Sequence, residues 1–298
     1  MSLKQQTIFS DCECIVADAF STDRTREIAL SLGARVVDGG MPGPGRNRGA
    51  AVATGEWILF MDADARPSSD EWLEDCLREL EQQQLDIATC DLKPRSHTLM
   101  NRVYHHVYKF FTRATAPFVP HAPGSCIFVK REAFEVSKGF DETVIFAEDM
   151  EFVQRLAKHG YCFGVLDAGP VLVSVRRLEK DGHWTTAYRY VITELYMRCK
   201  GPVRKPLFDY KFSHFWIRRK NSYVTTYPAR RAELMETGRN KNTVALSWCK
   251  GIAIRKGDQI LRIEIRVRIW VDHCNHVVMI VFAVSGILLS LMHLRVRH

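Results

Sequence analysis

The chain has 298 residues, of which 46% are hydrophobic and 26% charged, and a net charge of +8. That is enough apolar material for a full core, and it excludes an intrinsically disordered chain. The nine cysteines are scattered, with only Cys12 and Cys14 close together and no C-x-x-C pair. This spacing excludes a disulfide framework and a structural zinc site and points to a reducing compartment.

The charge is uneven along the chain. From Arg204 onward stand 18 of the 42 Lys/Arg but only 6 of the 34 Asp/Glu. The basic excess therefore belongs to the C-terminal third, as in a tail held against an anionic surface.

The chain opens on the polar stretch Met1-Ser-Leu-Lys-Gln-Gln, which does not read as a secretory signal. Ser2 to Phe9 reads as the end of a helix. Cys14 to Ala17 reads as a strand ending at Asp18, and Ser21, Thr22 and Asp23 form a capping cluster for a helix over Thr25 to Leu32 that Gly33 stops. A short strand follows at Ala34 to Val37. Between Gly39 and Gly49 the chain is rich in glycine and proline. Glycines let backbone amides approach a phosphate, and a helix starting near Arg46 would offer its positive end with Arg46 or Arg48 as a clamp. A surface turn fits the same composition.

Trp57 to Met61 is an unbroken apolar run that reads as a fully buried central strand, and it ends at Asp62-Ala63-Asp64. Two carboxylates flanking one small residue at a strand's carboxyl end can converge on a divalent cation, Mg²⁺ or Mn²⁺. Taken alone, the pair serves equally as a turn or a cap for the helix beginning near Trp72. That helix, Trp72 to Gln83, is amphipathic, and Leu85 to Cys90 is a strand. His97 to Thr112 mixes aromatic and basic residues, as an acceptor-side or membrane-facing helix does. Its adjacent His105 and His106 point apart on a helix and do not form a metal pair. Gly124 and Ser125 precede a strand at Ile127 to Val129, and Arg131 to Val136 is a short helix. Glu148 and Asp149 open a further helix over Met150 to His159, where the macrodipole alone also favours carboxylates. After a strand at Val171 to Ser174 come Arg176-Arg177, which fit a solvated patch as well as a phosphate grip, and His183.

Three ordered blocks resemble glycosyltransferase family 2, a GT-A type family that transfers sugars from nucleotide diphosphates. They are Val16 to Thr25, Gly49 to Asp64, and Gly124 to Phe134 continuing through Gly139-Phe140-Asp141-Glu142 to Glu148-Asp149. The resemblance as a whole covers residues 11 to about 185. The resemblance implies an α/β fold, a Rossmann-like mixed sheet flanked by helices, with residues 1–200 as the transferase domain. It implies Asp149 as catalytic base, Asp18, Arg46, Asn47, Asp62, Arg176 and Arg177 at the nucleotide sugar, Asp62, Asp64 and His183 at the metal, and Gly124, Ser125 and Glu148 at the acceptor. It further implies a strand and most of a helix ahead of Cys14, which this sequence lacks. The Gln-x-x-Arg-Trp pattern of processive polysaccharide synthases is also missing.

Residues 201–276 form a basic region. Residues 277–294 contain no Asp, Glu, Lys or Arg and are long enough to read as one transmembrane helix, with a short core helix as the alternative. Basic residues crowd its N-terminal approach, which favours a single-pass protein of the cytoplasmic membrane with its catalytic domain facing the cytoplasm. The expected activity is inverting, metal-dependent sugar transfer to an acceptor hydroxyl, or to a lipid-linked or glycan acceptor. The alternative is a non-catalytic membrane module that binds a nucleotide sugar or a partner. Nucleotidyl transfer ranks lower, since the Gly-x-Gly-Thr-Arg pattern is absent, and a membrane explains the basic tail better than nucleic acid does.

Overall fold

Alternation of strand and helix runs through the first 200 residues and builds two sheets. The computed structural model describes residues 2–208 and five further short strands, and it divides into units at Met1–Arg230 and Arg231–His298. In the first unit, β1 (Ile15–Asp18) pairs in parallel with β2 (Arg35–Asp38). A separate four-stranded sheet has the order β3-β5-β4-β6, formed by β3 (Trp57–Phe60), β4 (Ile87–Pro94), β5 (Ile127–Lys130) and β6 (Phe163–Val173). Strands β3 and β4 both run antiparallel to β5, and β6 runs parallel to β4. Strands β7 (Tyr210–Phe212), β8 (Phe215–Ile217) and β9 (Val224–Thr226) form an antiparallel meander. In the second unit, β10 (Ile252–Lys256) and β11 (Gln259–Ile263) form a hairpin. The run at 277–294, expected to span a membrane, and most of the basic region lie outside the described residues. No described helix is long and apolar enough to cross a membrane.

Contrary to the expectation of a central strand, β3 lies at the edge of its sheet and alternates between buried and half-buried residues. Its run is continuous because each face meets its own apolar cluster. Ile58 and Phe60 pack with Ile87, Phe140 and Phe152, while Trp57 and Leu59 lie against Trp72, Leu80 and Phe128. The helices are α1 (Thr25–Ser31), α2 (Pro42–Ala50), α3 (Trp72–Gln82), α4 (Leu99–Thr115), α5 (Arg131–Val136), α6 (Glu148–Lys158), α7 (Arg176–Asp181) and α8 (His183–Lys200). As expected, Asp23 secures the start of α1 by accepting the Thr25 N–H at 2.9 Å.

Helix α2 starts at Pro42, a turn earlier than the sequence suggests, because proline fits the first turn of a helix, where its missing N–H has no partner to lose. The glycines therefore do not form a phosphate-cradling loop. Gly45 sits against Ala17 of β1, and Gly43 faces Phe140 and Glu148, so they permit close packing. Before the helix, Gly39 lies so close to the backbone of Ala17 and Asp18 that a Cβ would come within 2.9 Å of it.

Asn47 ties α2 to the segment before α6. Its amide donates to the Phe140 carbonyl at 2.9 Å and to Glu142 at 3.0 Å, and its oxygen accepts the Phe140 N–H at 2.8 Å. Phe140 stacks on Phe152 at 4.2 Å between ring centroids and meets Phe60 edge-on at 5.1 Å. Removing this ring leaves a cavity under the site, so Phe140→Ala is expected to cost about 3–5 kcal/mol in chemical denaturation.

Candidate active site

The strand pairings carry several chains of residues to one edge of the larger sheet. Phe60 pairs with Ile127, so Asp62 and Ser125 leave the sheet at the same end. Arg66 exchanges backbone hydrogen bonds with Leu172 at 2.8 and 2.9 Å, which fixes the loop after Asp64 against β6. Helix α6 enters the same region through Ala147, whose φ of 57° and ψ of 39° are left-handed. For a non-glycine residue that conformation costs about 1–2 kcal/mol, and here it aims Glu148 and Asp149 inward.

Arg46 of α2 is the centre of the cluster. Its guanidinium donates to Glu148 at 2.6 Å and to the Gly124 carbonyl at 3.3 Å, stands 3.7 Å from Asp62, and lies over the Phe140 ring at 5.4 Å. Burial disfavours its charge, but Glu148, Asp149 and Asp62 outweigh that effect and hold it firmly protonated. A Cβ on Gly124 would run into this guanidinium, which is why glycine stands there. Asp149 accepts the Gly124 N–H and the Met150 N–H, both at 2.8 Å. Burial first, and then repulsion from Glu148, push its carboxyl up to about 6 against the pull of Arg46. The Asp62 carboxyl is also raised, by burial and by repulsion from Asp64 and Glu148, with Arg46 and Arg177 opposing. Asp64 faces Arg176 at 3.5 Å.

Asp62, Asp64, Glu148, Asp149, Arg46, Arg176 and Arg177 therefore share one electrostatic neighbourhood. Other expected residues stand elsewhere or are otherwise engaged. Asn47 braces the loop before α6, with its amide fully occupied, rather than presenting itself to a donor. Glu148 is held by Arg46, and Ser125 is 8% exposed. Asp18 is buried and accepts the Ser21 N–H at 3.0 Å and an Arg26 N–H at 3.3 Å. Those bonds outweigh its burial and keep its carboxyl below the usual range. His183 does not join the aspartates: its ring is 2.6 Å from the Asn101 oxygen and edge-on to Tyr104. Among the described residues no group of three or more His, Cys, Asp or Glu side chains forms a metal site.

Sequence pattern alone does not reveal the tyrosines behind Asp149. Tyr108 of α4 and Tyr190 of α8 stand 3.3 Å apart at their hydroxyls. Burial and the nearby Asp149 charge raise both phenols, so they stay neutral donors. The aromatic run in α4 is visible in the chain, but its partner comes from 82 residues away.

This is an α/β fold with a cluster of carboxylates and arginines at one end of the larger sheet. Residues 1–137 match the family model of Glycosyl transferase family 2. The matched segment includes Asp18, Arg46, Asp62, Asp64 and Gly124 and stops before Asp149. A 4,4'-diaponeurosporenoate glycosyltransferase of Staphylococcus haemolyticus is 31% identical over 126 residues, which cover 39% of this chain and 30% of that protein. The structure of a mannosyltransferase from Pyrobaculum calidifontis with GDP-Man and Mn²⁺ superposes with a TM-score of 0.51 at 19% identity, covering 65% of this chain and 55% of that one. TarS of S. aureus in complex with UDP reaches a TM-score of 0.45 at 21% identity, over 58% and 54% of the two chains. The chain thus spans less than a third of that curated relative and about half of these two solved chains.

The raised Asp149 carboxyl is directly observable. Carbon-13 NMR of labelled aspartate should show one group titrating near pH 6. Glu148→Gln removes the repelling charge and leaves Arg46 less compensated, so the same signal should titrate at lower pH.

Proposed function

We propose that this chain is an inverting, metal-dependent glycosyltransferase. It moves a sugar from a nucleotide-diphosphate donor to an acceptor hydroxyl or lipid phosphate at the cytoplasmic face of a membrane, in cell-envelope glycan or glycolipid synthesis. The observation that carries this reading is the sharing of Arg46. One guanidinium stands 3.7 Å from the strand-end Asp62 and 2.6 Å from Glu148, next to Asp149, so donor-side and acceptor-side carboxylates face one cleft.

Asp62 and Asp64 fit a divalent cation. Their side chains are 53% and 49% exposed, and a cation held between them would offset their mutual repulsion. The Pyrobaculum mannosyltransferase was solved with Mn²⁺, which supports Mn²⁺ or Mg²⁺ here. When bound, such an ion compensates charge on the departing diphosphate. Arg46, Arg176 and Arg177 supply further positive charge for the diphosphate from the protein itself.

Asp149 takes the acceptor hydroxyl's proton. Two backbone N–H groups fix its orientation, and its raised carboxyl is a stronger base than an exposed aspartate while remaining ionised at neutral pH. The neutral hydroxyls of Tyr108 and Tyr190 lie on the acceptor side as hydrogen-bond donors.

Loss of the base is expected to lower turnover by about 10²–10⁴-fold in Asp149→Asn while calorimetric binding of a nucleoside diphosphate with Mn²⁺ persists. Asp62→Asn should weaken the Mn²⁺-dependent part of that binding. Binding without turnover in the unmodified chain would instead support a non-catalytic nucleotide-sugar module.

A further inference from the structure

Helix α4 is built inside out. Its buried side is polar: Asn101, His105 and Thr112, with half-buried Tyr108 between them, face β4, α7 and α8. Asn101 donates to Glu179 at 2.8 Å and to Ser96 at 2.9 Å, and the His105 ring is 2.8 Å from the Asn101 carbonyl. Its outer side is apolar. Leu99 is 73% exposed, Met100 50%, Val103 43% and Phe110 76%, and residues at these spacings form one stripe. Arg102, His106, Lys109 and Arg113 form a second stripe beside it, also at helical spacing.

The basic stripe borders a cleft of about 800 Å³ floored by Pro170 and Leu172 and lined by Lys93, Arg95, His97 and Arg102. Its one acid, Asp91, is already paired with Lys109 at 2.7 Å and Arg113 at 3.0 Å. No described acid forms an ion pair with Lys93, Arg95 or Arg102. The cleft therefore presents uncompensated positive charge directly beside exposed hydrocarbon.

We infer that α4 and this cleft form a docking face for an anionic lipid bilayer, with the apolar stripe in the acyl boundary and Lys93, Arg95 and Arg102 on the headgroups. A soluble polyanion would meet the cations but leave four large apolar side chains in water. A surface helix that pairs an exposed apolar stripe with a basic one fits the boundary between lipid headgroups and acyl chains. The residues of this face all belong to the segment 91–113 and to Pro170 and Leu172. Only one consequence rests on the transferase reading: Leu172 joins Arg66 just after Asp64, so acceptors held in the bilayer arrive beside the carboxylates.

The test uses the full-length chain in nanodiscs with p-benzoylphenylalanine in place of Phe110, or of Leu30 as a control that is 60% exposed on α1. Photolysis should yield lipid adducts at position 110 and background at position 30. Replacing phosphatidylglycerol by phosphatidylcholine, or introducing Lys93→Glu, Arg95→Glu and Arg102→Glu, should lower the yield by about fivefold for each cation that no longer meets an anionic headgroup. The lipid exchange leaves the protein unaltered and so stands even if the charge reversals disturb folding. Equal yields at the two positions would overturn the inference, as would crosslinks from position 110 to residues 209–298 or to a second copy. The readout needs no turnover, so it stands or falls apart from the proposed chemistry.

Discussion

A single guanidinium holds the site together. Arg46 is 16% exposed and its partner Glu148 13%, so both charges have left much of their water and depend on each other. A charge in that position is tolerated only when paired and hydrogen-bonded, and removing either partner leaves the other uncompensated. Its other contacts, with the Gly124 carbonyl, Asp62 and the Phe140 ring, link α2, the loop before β5, the end of β3 and the approach to α6. Without it, Asp62, Glu148 and Asp149 would repel one another across the cleft. Glycine at position 124 follows from the same requirement, because the guanidinium occupies the space a methyl group would need.

Much of this was legible in the chain. The apolar run ending in Asp62-Ala63-Asp64 announced a strand with carboxylates at its end, because strand burial and the abrupt change to acids are both local properties. The placement of Glu148 and Asp149 at a helix start was equally local. The partners across the fold were not legible. Asn47 and Phe140 lie 93 residues apart, and nothing in Arg46-Asn47-Arg48 distinguishes the residue that braces a loop from the one that gathers carboxylates. The glycine-proline segment misled for a related reason: its composition fits a loop, and only packing against Ala17 and Phe140 makes it a helical turn.

Helix α4 shows the limit of hydrophobic patterning. Periodicity marks which residues share a face, but the inward direction is inferred from an assumption that apolar side chains are buried. In α4 the inward residues are Asn101, His105 and Thr112, and the first two gain partners on the approach to the helix, in α7, in α8 and in the helix backbone itself. Satisfied polar groups can occupy a core at little net cost. Their partners are distant in sequence, so the pattern alone does not give the orientation.

Among the described strands, β1 and β2 share no ladder hydrogen bond with the four-stranded sheet. Below the site, the Glu13 carboxylate, ahead of β1, accepts the backbone N–H groups of Thr54 and Gly55 ahead of β3, at 2.6 and 2.9 Å. Above it, Arg46 joins the two halves. The halves are thus joined by side-chain bonds, by those of Asn47 to the Phe140 backbone and by the packing of α2 on Phe140, with no continuous ladder between the described strands. Substitutions at Glu13, Arg46 or Asn47 would therefore loosen the join between the halves while leaving every strand pairing intact.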